Sequence, residues 1–167
     1  MEQFKNMKIE TLSQHNAEAI ANDWHYEGVY SFYDMAEDPE DFEEIILPGL
    51  RGDRYFQVVN DDELTGYFCI EPLSARKAEI GLGLKPNLTG QGLGLSFLKL
   101  IEHFVLQHQK YQTLVLSVVA FNERAIKVYI KAGYVKVGTE MVASNNSEYE
   151  FILMKKNVSR QVDEMNH

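Results

Sequence analysis

Between residues 85 and 94 the chain reads Lys85-Pro86-Asn87-Leu88-Thr89-Gly90-Gln91-Gly92-Leu93-Gly94, a run of breakers just ahead of an apolar stripe of helical period. A loop that opens directly into a helix leaves backbone N–H groups unpaired, and the positive end of the helix dipole adds to their pull on an anion. Glycines at 90, 92 and 94 carry no Cβ to hold phosphate oxygens away from that backbone. Thr89–Gly94 is therefore a candidate anion cradle, although a structural turn is the commoner reason for such a run. The spacing excludes two other cradles. There is no Gly-Lys-Ser/Thr ending, as a P-loop requires, and Gly-x-Gly-x-Gly lacks the third interval of a dinucleotide fingerprint.

Two further groups could do chemistry. Tyr129 follows Asn122 by seven residues, two helical turns, so both project to one side of a helix that Asn122 would cap. Trp24, Tyr26, Tyr30, Phe32 and Tyr33 put five aromatics into ten residues, with Glu27 and Asp34 alongside. Aromatic faces beside carboxylates suit a cationic amine, while a hydrophobic lid on the core is the competing use. No metal site is expected. His25, His103 and His108 have no ligand spacing, and Cys69 sits in an apolar strand with no base beside it, which reads as a buried structural thiol.

The elements that must position these groups follow from period and punctuation. Lys8–Leu12 reads as a short strand, and Ser13 as the N-cap of a helix running toward Trp24. Glu37–Leu47 reads as an acidic helix stopped by Pro48-Gly49. Tyr55–Asn60 and Leu64–Glu71 form a hairpin around Asp61-Asp62-Glu63, and Ala78–Leu84 adds a third strand. Leu93, Phe97, Leu100, Ile101 and Phe104 then mark an amphipathic helix. Thr113–Ala120 is a nearly continuous apolar run, as in a strand buried on both faces. A helix from Asn122 to about Ala132, with Gly133 at C′, precedes strands at Tyr134–Val137 and Tyr149–Met154. A meander followed by strand, helix, strand, helix, strand implies a mixed α/β sheet in one domain over residues 1–157, with a polar tail at 158–167.

Composition narrows the functional classes. The 167 residues carry a net charge of −9, which argues against a nucleic-acid binder. Residues 1–80 hold 18 acidic and 6 basic side chains, and residues 81–167 hold 7 and 10, so balances of −12 and +3 face different partners. The longest apolar runs are too short for a membrane span, and the N-terminus carries no signal-peptide pattern. A lone cysteine points to the cytoplasm. The Asn-x-Ser/Thr triplets at Asn87, Asn145 and Asn157 are then chance matches.

Leu84-Lys85-Pro86 followed by Thr89-Gly90-Gln91-Gly92-Leu93-Gly94 resembles the acetyl-CoA signature of the GCN5-related N-acetyltransferase (GNAT) superfamily, Arg/Gln-x-x-Gly-x-Gly/Ala. Downstream, the segment from Asn122 through Ala125 and Tyr129 to Gly133-Tyr134 resembles that family's Asn-x-x-Ala-x-x-x-Tyr-x-x-x-Gly-Phe. The two matches stand in the family's order across roughly residues 78–137. One position departs from the pattern. Thr89 replaces the usual Arg or Gln, and the loss of one phosphate contact costs about 1–3 kcal/mol.

The resemblance implies the GNAT fold, an antiparallel N-terminal meander with a parallel strand pair splayed at the cofactor site. It implies acetyl-CoA as co-substrate. Backbone groups of Leu82 and Leu84 would pair with the pantetheine arm, and the N–H near Leu84 would polarise the thioester carbonyl. Thr89, Gly90, Gln91, Gly92, Leu93 and Gly94 would hold the pyrophosphate, and Asn122 would orient the pantetheine. It makes Tyr129 the acid that protonates the departing thiolate, with Glu79 or a water chain taking the amine's proton. The acceptor side falls to Trp24, Tyr26, Glu27, Tyr30 and Tyr33, and the charge balance favours a cationic acceptor. The expected activity is acetyl transfer from acetyl-CoA to a primary amine by direct attack in a ternary complex, in a monomer or homodimer. The alternative is a non-catalytic acyl-CoA-binding or regulatory module of the same fold.

Overall fold

A computed structural model of the chain describes residues 7–108, 110–144 and 147–158. Asn145 and residues 159–167 of the expected polar tail lie outside the described residues. Seven strands hydrogen-bond in the order β1-β2-β3-β4-β5-β7-β6. They are β1 (Met7–Thr11), β2 (Tyr55–Asn60), β3 (Glu63–Pro72), β4 (Lys77–Leu84), β5 (Thr113–Val119), β6 (Val135–Ser144) and β7 (Ser147–Asn157). β1–β2, β2–β3 and β5–β7 are antiparallel, and β4–β5 is parallel. The expected mixed sheet is present, with a parallel pair in its middle. That pair is in register over Lys77–Glu79 and Thr113–Val115, while β4 runs on to Leu84 and β5 to Val119.

The described residues form two compact units, each with its own packing. The first takes residues 7–69, 82–91, 143–144 and 147–148; the second takes 70–81, 92–108, 110–142 and 149–158. In the first unit, α1 (Gln14–Asp23) begins where Ser13 accepts the Asn16 N–H, as a Ser N-cap should. Buried Gln57 of β2 ties that cap down, its Oε1 accepting from Ser13 N at 3.1 Å and Asn16 Nδ2 at 2.8 Å. Leu12, Ala17, Ile20, Ala21, Trp24, Ile45 and Tyr55 make its core. The β2–β3 turn is tighter than expected. Asn60 pairs with Glu63, so Asp61 and Asp62 alone make the turn, at φ +50 and +68. Positive φ at both central residues matches the right-handed strand twist.

The acidic helix also departs from expectation at both ends. It is α2 (Pro39–Ile46), capped by Asp38, because Pro39 cannot donate inside a helix and suits its first position. Pro48 likewise starts rather than stops a helix, the single turn α3 (Pro48–Arg51). The guanidinium of buried Arg51 donates to the Ile45 carbonyl and to Gln14 Oε1, which closes the ends of α1 and α2 together.

In the second unit, α4 (Gly94–His108) buries Phe97, Leu98, Ile101, Glu102 and Val105. Its inward stripe is thus rotated from the expected one, with Leu100 and Phe104 only half-buried. The rotation brings Glu102 inside, where Oε1 meets Lys156 Nζ of β7 at 3.0 Å. β5 buries Leu114, Leu116 and Val118 on one face, while on the other Val119 is buried and Thr113, Val115 and Ser117 are half-buried, so burial on both faces is complete only at its C-terminal end. β6 and β7 extend well past their expected bounds: β7 adds polar residues at both ends, and β6 adds Gly138–Ser144, where exposed Met141 beside Thr139 and Glu140 breaks any apolar alternation. Val158 belongs to this core rather than to the tail. It is 2% exposed and its N–H donates to Gln112 O.

Candidate active site

The three glycines of the cradle do different work. After β4, a 3₁₀ turn over Pro86–Leu88 leads to Thr89 and on to α4. Gly90 and Gly92 sit at φ +73 and +77, the left-handed region that costs other L residues about 1–2 kcal/mol. A Cβ built on Gly92 meets nothing within 4 Å, so the backbone there borders open space. At Gly94 the Cβ direction is not open, although its backbone N–H still lies at the start of α4. A Cβ on it would lie 3.4 Å from Val128 of α5 (Glu123–Lys131), in contact with that helix rather than facing open space.

The side chains of the loop bond to the loop itself. Thr89 Oγ1 donates to Pro86 O at 2.7 Å and Gln91 Nε2 to Asn87 O at 2.6 Å. Thr89's proton is therefore committed, and its hydroxyl must rotate before it can donate to a phosphate. What the loop offers an anion as it stands is backbone, at a helix start with no acidic residue in the first turn. A turn held at positive φ, with space where a Cβ would project, fits the pyrophosphate of acetyl-CoA.

Asn122, Tyr129 and Glu79 all belong to the second unit. Asn122 is buried and caps α5, its Oδ1 accepting the Ala125 N–H at 3.1 Å. Tyr129 lies two turns on, half-buried, its ring centroid 6.3 Å from that of buried Tyr134 and tilted by 55°. Glu79 on β4 alternates with buried Ala78 and Ile80 and is half-buried on the opposite face. Burial pushes its pKa above the ordinary carboxylate range, and repulsion from Glu140 and Glu71 adds to the shift.

In the first unit the aromatic segment divides. α1 ends at Trp24, which packs into the first unit's core with its indole 6% exposed and 6.0 Å from the Tyr67 ring. Tyr26 is also drawn inward, its hydroxyl donating to the Leu84 carbonyl at 2.8 Å. Burial first, then the Asp34 charge, raise its pKa far above the usual phenol value. Glu27 and Tyr33 are exposed and Tyr30 half-buried, the last two on a 3₁₀ helix over Gly28–Tyr33. These three stay reachable from solvent. Close by in sequence, α2 carries Glu40, Asp41 and Glu44 after its cap Asp38. Although Asp41 is exposed overall, partial desolvation of its carboxyl and then repulsion from Asp38, Glu44 and Glu40 raise its pKa to about 6.

Near Leu84, Tyr67 and Thr65 were not singled out from the sequence, and Asp34 stood there only as a carboxylate beside the aromatics. Tyr67 lays its ring over Gly83, where a Cβ would come within 2.6 Å of Cε1. Asp34 holds the Tyr26 N–H at 2.8 Å and faces His25 Nδ1 at 3.1 Å. Thr65 O accepts the Lys85 N–H at 2.9 Å. The alternation Gly81-Leu82-Gly83-Leu84 was the available signal, because glycine inside a strand marks a close approach.

Residues 15–134, well over half of the chain, match the model of the acetyltransferase (GNAT) family. The chain belongs to that family. Solved structures agree on the fold. A spermidine N-acetyltransferase chimera from Vibrio cholerae and hSSAT superposes with a TM-score of 0.76 at 19% identity, covering 98% of this chain and 100% of the other. The spermidine N-acetyltransferase from Vibrio cholerae in complex with CoA and spermine gives 0.72 at 16%, covering 94% and 98%. A ribosomal-protein alanine acetyltransferase from Vibrio fischeri gives 0.64 at 18%, covering 93% and 95%. No curated protein matches by sequence. As a GNAT protein the chain is an acetyl-CoA-dependent N-acetyltransferase, which sets aside the non-catalytic module. Among the described residues no cluster of His, Cys, Asp or Glu could hold a metal ion, and no helix is long and apolar enough to cross a membrane.

Proposed function

We propose that this GNAT enzyme transfers acetyl from acetyl-CoA to a cationic primary amine by direct attack in a ternary complex. The observation that carries the reading is the turn at Gly90 and Gly92, held at positive φ beside open space at the entry to α4. In this reading the Gly90–Leu93 backbone holds the pyrophosphate, while Leu82, Leu84 and Asn122 hold and orient the pantetheine. The co-substrate supplies an activated thioester. Tyr129 donates its hydroxyl proton to the departing sulfur. Glu79, its pKa raised by burial and by two other carboxylates, takes a proton from the acceptor's ammonium, and the neutral amine so formed attacks the thioester carbonyl. Cys69 is half-buried against the first unit's core, which supports direct transfer over a covalent acyl-enzyme.

The acceptor follows from charge. Exposed Glu27 and Tyr33, half-buried Tyr30 and the carboxylates of α2 make this part of the first unit acidic and aromatic. Such a surface concentrates polycations. Two of the structural neighbours are named as spermidine N-acetyltransferases, which supports a polyamine-like acceptor. We read residues 1–157 as one catalytic domain, monomeric or homodimeric, and its single cysteine as fitting the reducing cytoplasm. The test is a panel of polyamines, aminoglycosides, amino-acid amides and peptides assayed for acetyl-CoA-dependent thiol release. Polycations should be best, with KM rising as salt is added. A neutral or acidic best acceptor with salt-independent kinetics would overturn the charge argument.

A further inference from the structure

The last residues of β4 are held from three directions, all within the first unit. Gly83 lies under the Tyr67 ring, at a distance that only a residue without Cβ permits. The Leu84–Lys85 peptide is pinned at both of its polar atoms, the carbonyl by Tyr26 Oη at 2.8 Å and the N–H by Thr65 O at 2.9 Å. Tyr26 is itself fixed, because Asp34 Oδ1 accepts its backbone N–H at 2.8 Å. A half-buried phenol has thus been brought 58 residues along the chain to bond one main-chain oxygen.

Strand geometry gives that bond a direction. Within a strand, one residue's N–H and C=O point to the same side, and the next residue's point to the other. The Lys85 N–H faces β3 through Thr65, so the Leu84 carbonyl and the Leu84 N–H both face away from β3. The Tyr26 hydroxyl therefore sits on the same side of β4 as the Leu84 N–H. Fixing the carbonyl fixes the Leu84–Lys85 peptide plane at the Leu84 Cα, and the Gly83–Leu84 plane, which carries the Leu84 N–H, is hinged on that Cα with the Tyr67 ring against Gly83 at its other end.

We propose that Tyr26 is a positioning residue that sets the Leu84 N–H for the thioester carbonyl of acetyl-CoA, rather than an acceptor-binding residue. This rests on the acetyl-CoA reading above. Tyr26→Phe keeps the ring and its packing but leaves the Leu84 carbonyl without its donor. CoA, which has no thioester carbonyl, separates this role from a general structural one.

The experiment titrates CoA and acetyl-CoA separately into wild type and Tyr26→Phe by calorimetry. It adds isotope-edited infrared spectra of the acetyl carbonyl in both complexes. CoA affinity should stay within about twofold, while acetyl-CoA affinity falls about 2–10-fold, as for one lost hydrogen bond. The carbonyl stretch should move back toward that of free thioester. An identical stretch and identical affinities in the two proteins overturn the proposal. Equal losses for CoA and acetyl-CoA with a lowered Tm overturn it too, since they mark a structural role only. Failure of wild type to bind either molecule defeats the functional reading, and the positioning role with it, and is recognised because it appears without any substitution.

Discussion

Gly92 and Gly94 are two residues apart in one motif, yet the structure assigns them opposite physics, and alanine at each position tests that. At Gly92 the backbone is at φ +77 and a methyl meets nothing within 4 Å. Ala there carries about 1–2 kcal/mol of backbone strain if the turn is kept. The turn is exposed, so part of this strain is relieved by local rearrangement and Tm falls little. Relaxation takes the N–H groups off the anion, and each charge-assisted hydrogen bond lost is worth about 1.5–3 kcal/mol. CoA affinity should therefore fall about 10–100-fold, at 1.4 kcal/mol per decade. At Gly94 the new Cβ reaches Val128 at 3.4 Å, close to an ordinary van der Waals contact. Gly94 is the first residue of α4, where Ala gains less than the ~1 kcal/mol of a helix interior, so Tm should be nearly unchanged. CoA affinity should also stay within about threefold, since no hydrogen-bonded group is lost. Calorimetry with CoA and thermal denaturation of both variants give the four numbers needed. Unchanged CoA affinity in Gly92→Ala, or equal losses in the two variants, would refute the division of labour.

Other expectations follow from the same geometry. Tyr129→Phe keeps the ring against Tyr134 and removes the proton, so kcat should fall about 10²–10⁴-fold with acetyl-CoA affinity nearly constant. Wild-type turnover in that variant would transfer the acid role to another group. Glu79 must be ionised to act as base, and its pKa is raised, so kcat/KM should fall as pH drops through that raised value. Glu79→Gln should remove this acid limb, and an unaltered profile would assign the limb elsewhere. Asp41, raised from 3.8 to about 6, binds more protons folded than unfolded across that interval. Its contribution to stability therefore falls as pH rises from about 4 to 6. Asp41→Asn should raise Tm at pH 7 and have less effect at pH 4; the same increment at both would show that no such shift exists.

Much of this protein is written locally. Ser13 and Asn122 as caps, Gly133 at C′ and the glycine turn before α4 were all legible, because each depends on one residue's chemistry and its near neighbours. The two family motifs were legible for the same reason: they are built around turn glycines and a helix cap, and the backbone conformation of such elements follows short-range sequence. Tertiary structure decided which side chains those motifs leave available. Trp24 and Tyr26 read alike in the sequence because composition cannot say which aromatic faces inward; the fold packs Trp24 beside Tyr67 and turns the Tyr26 hydroxyl to the Leu84 carbonyl. Gly94 looked equivalent to Gly92 until Val128, distant in sequence, was packed beside it. Nothing in the sequence marks Glu102 for burial, and only the helix's rotation and Lys156 place it inside. Local sequence sets the dihedrals of a turn or a cap, whereas the partner a side chain meets is chosen by the fold, through burial of apolar area that no short segment can accomplish alone.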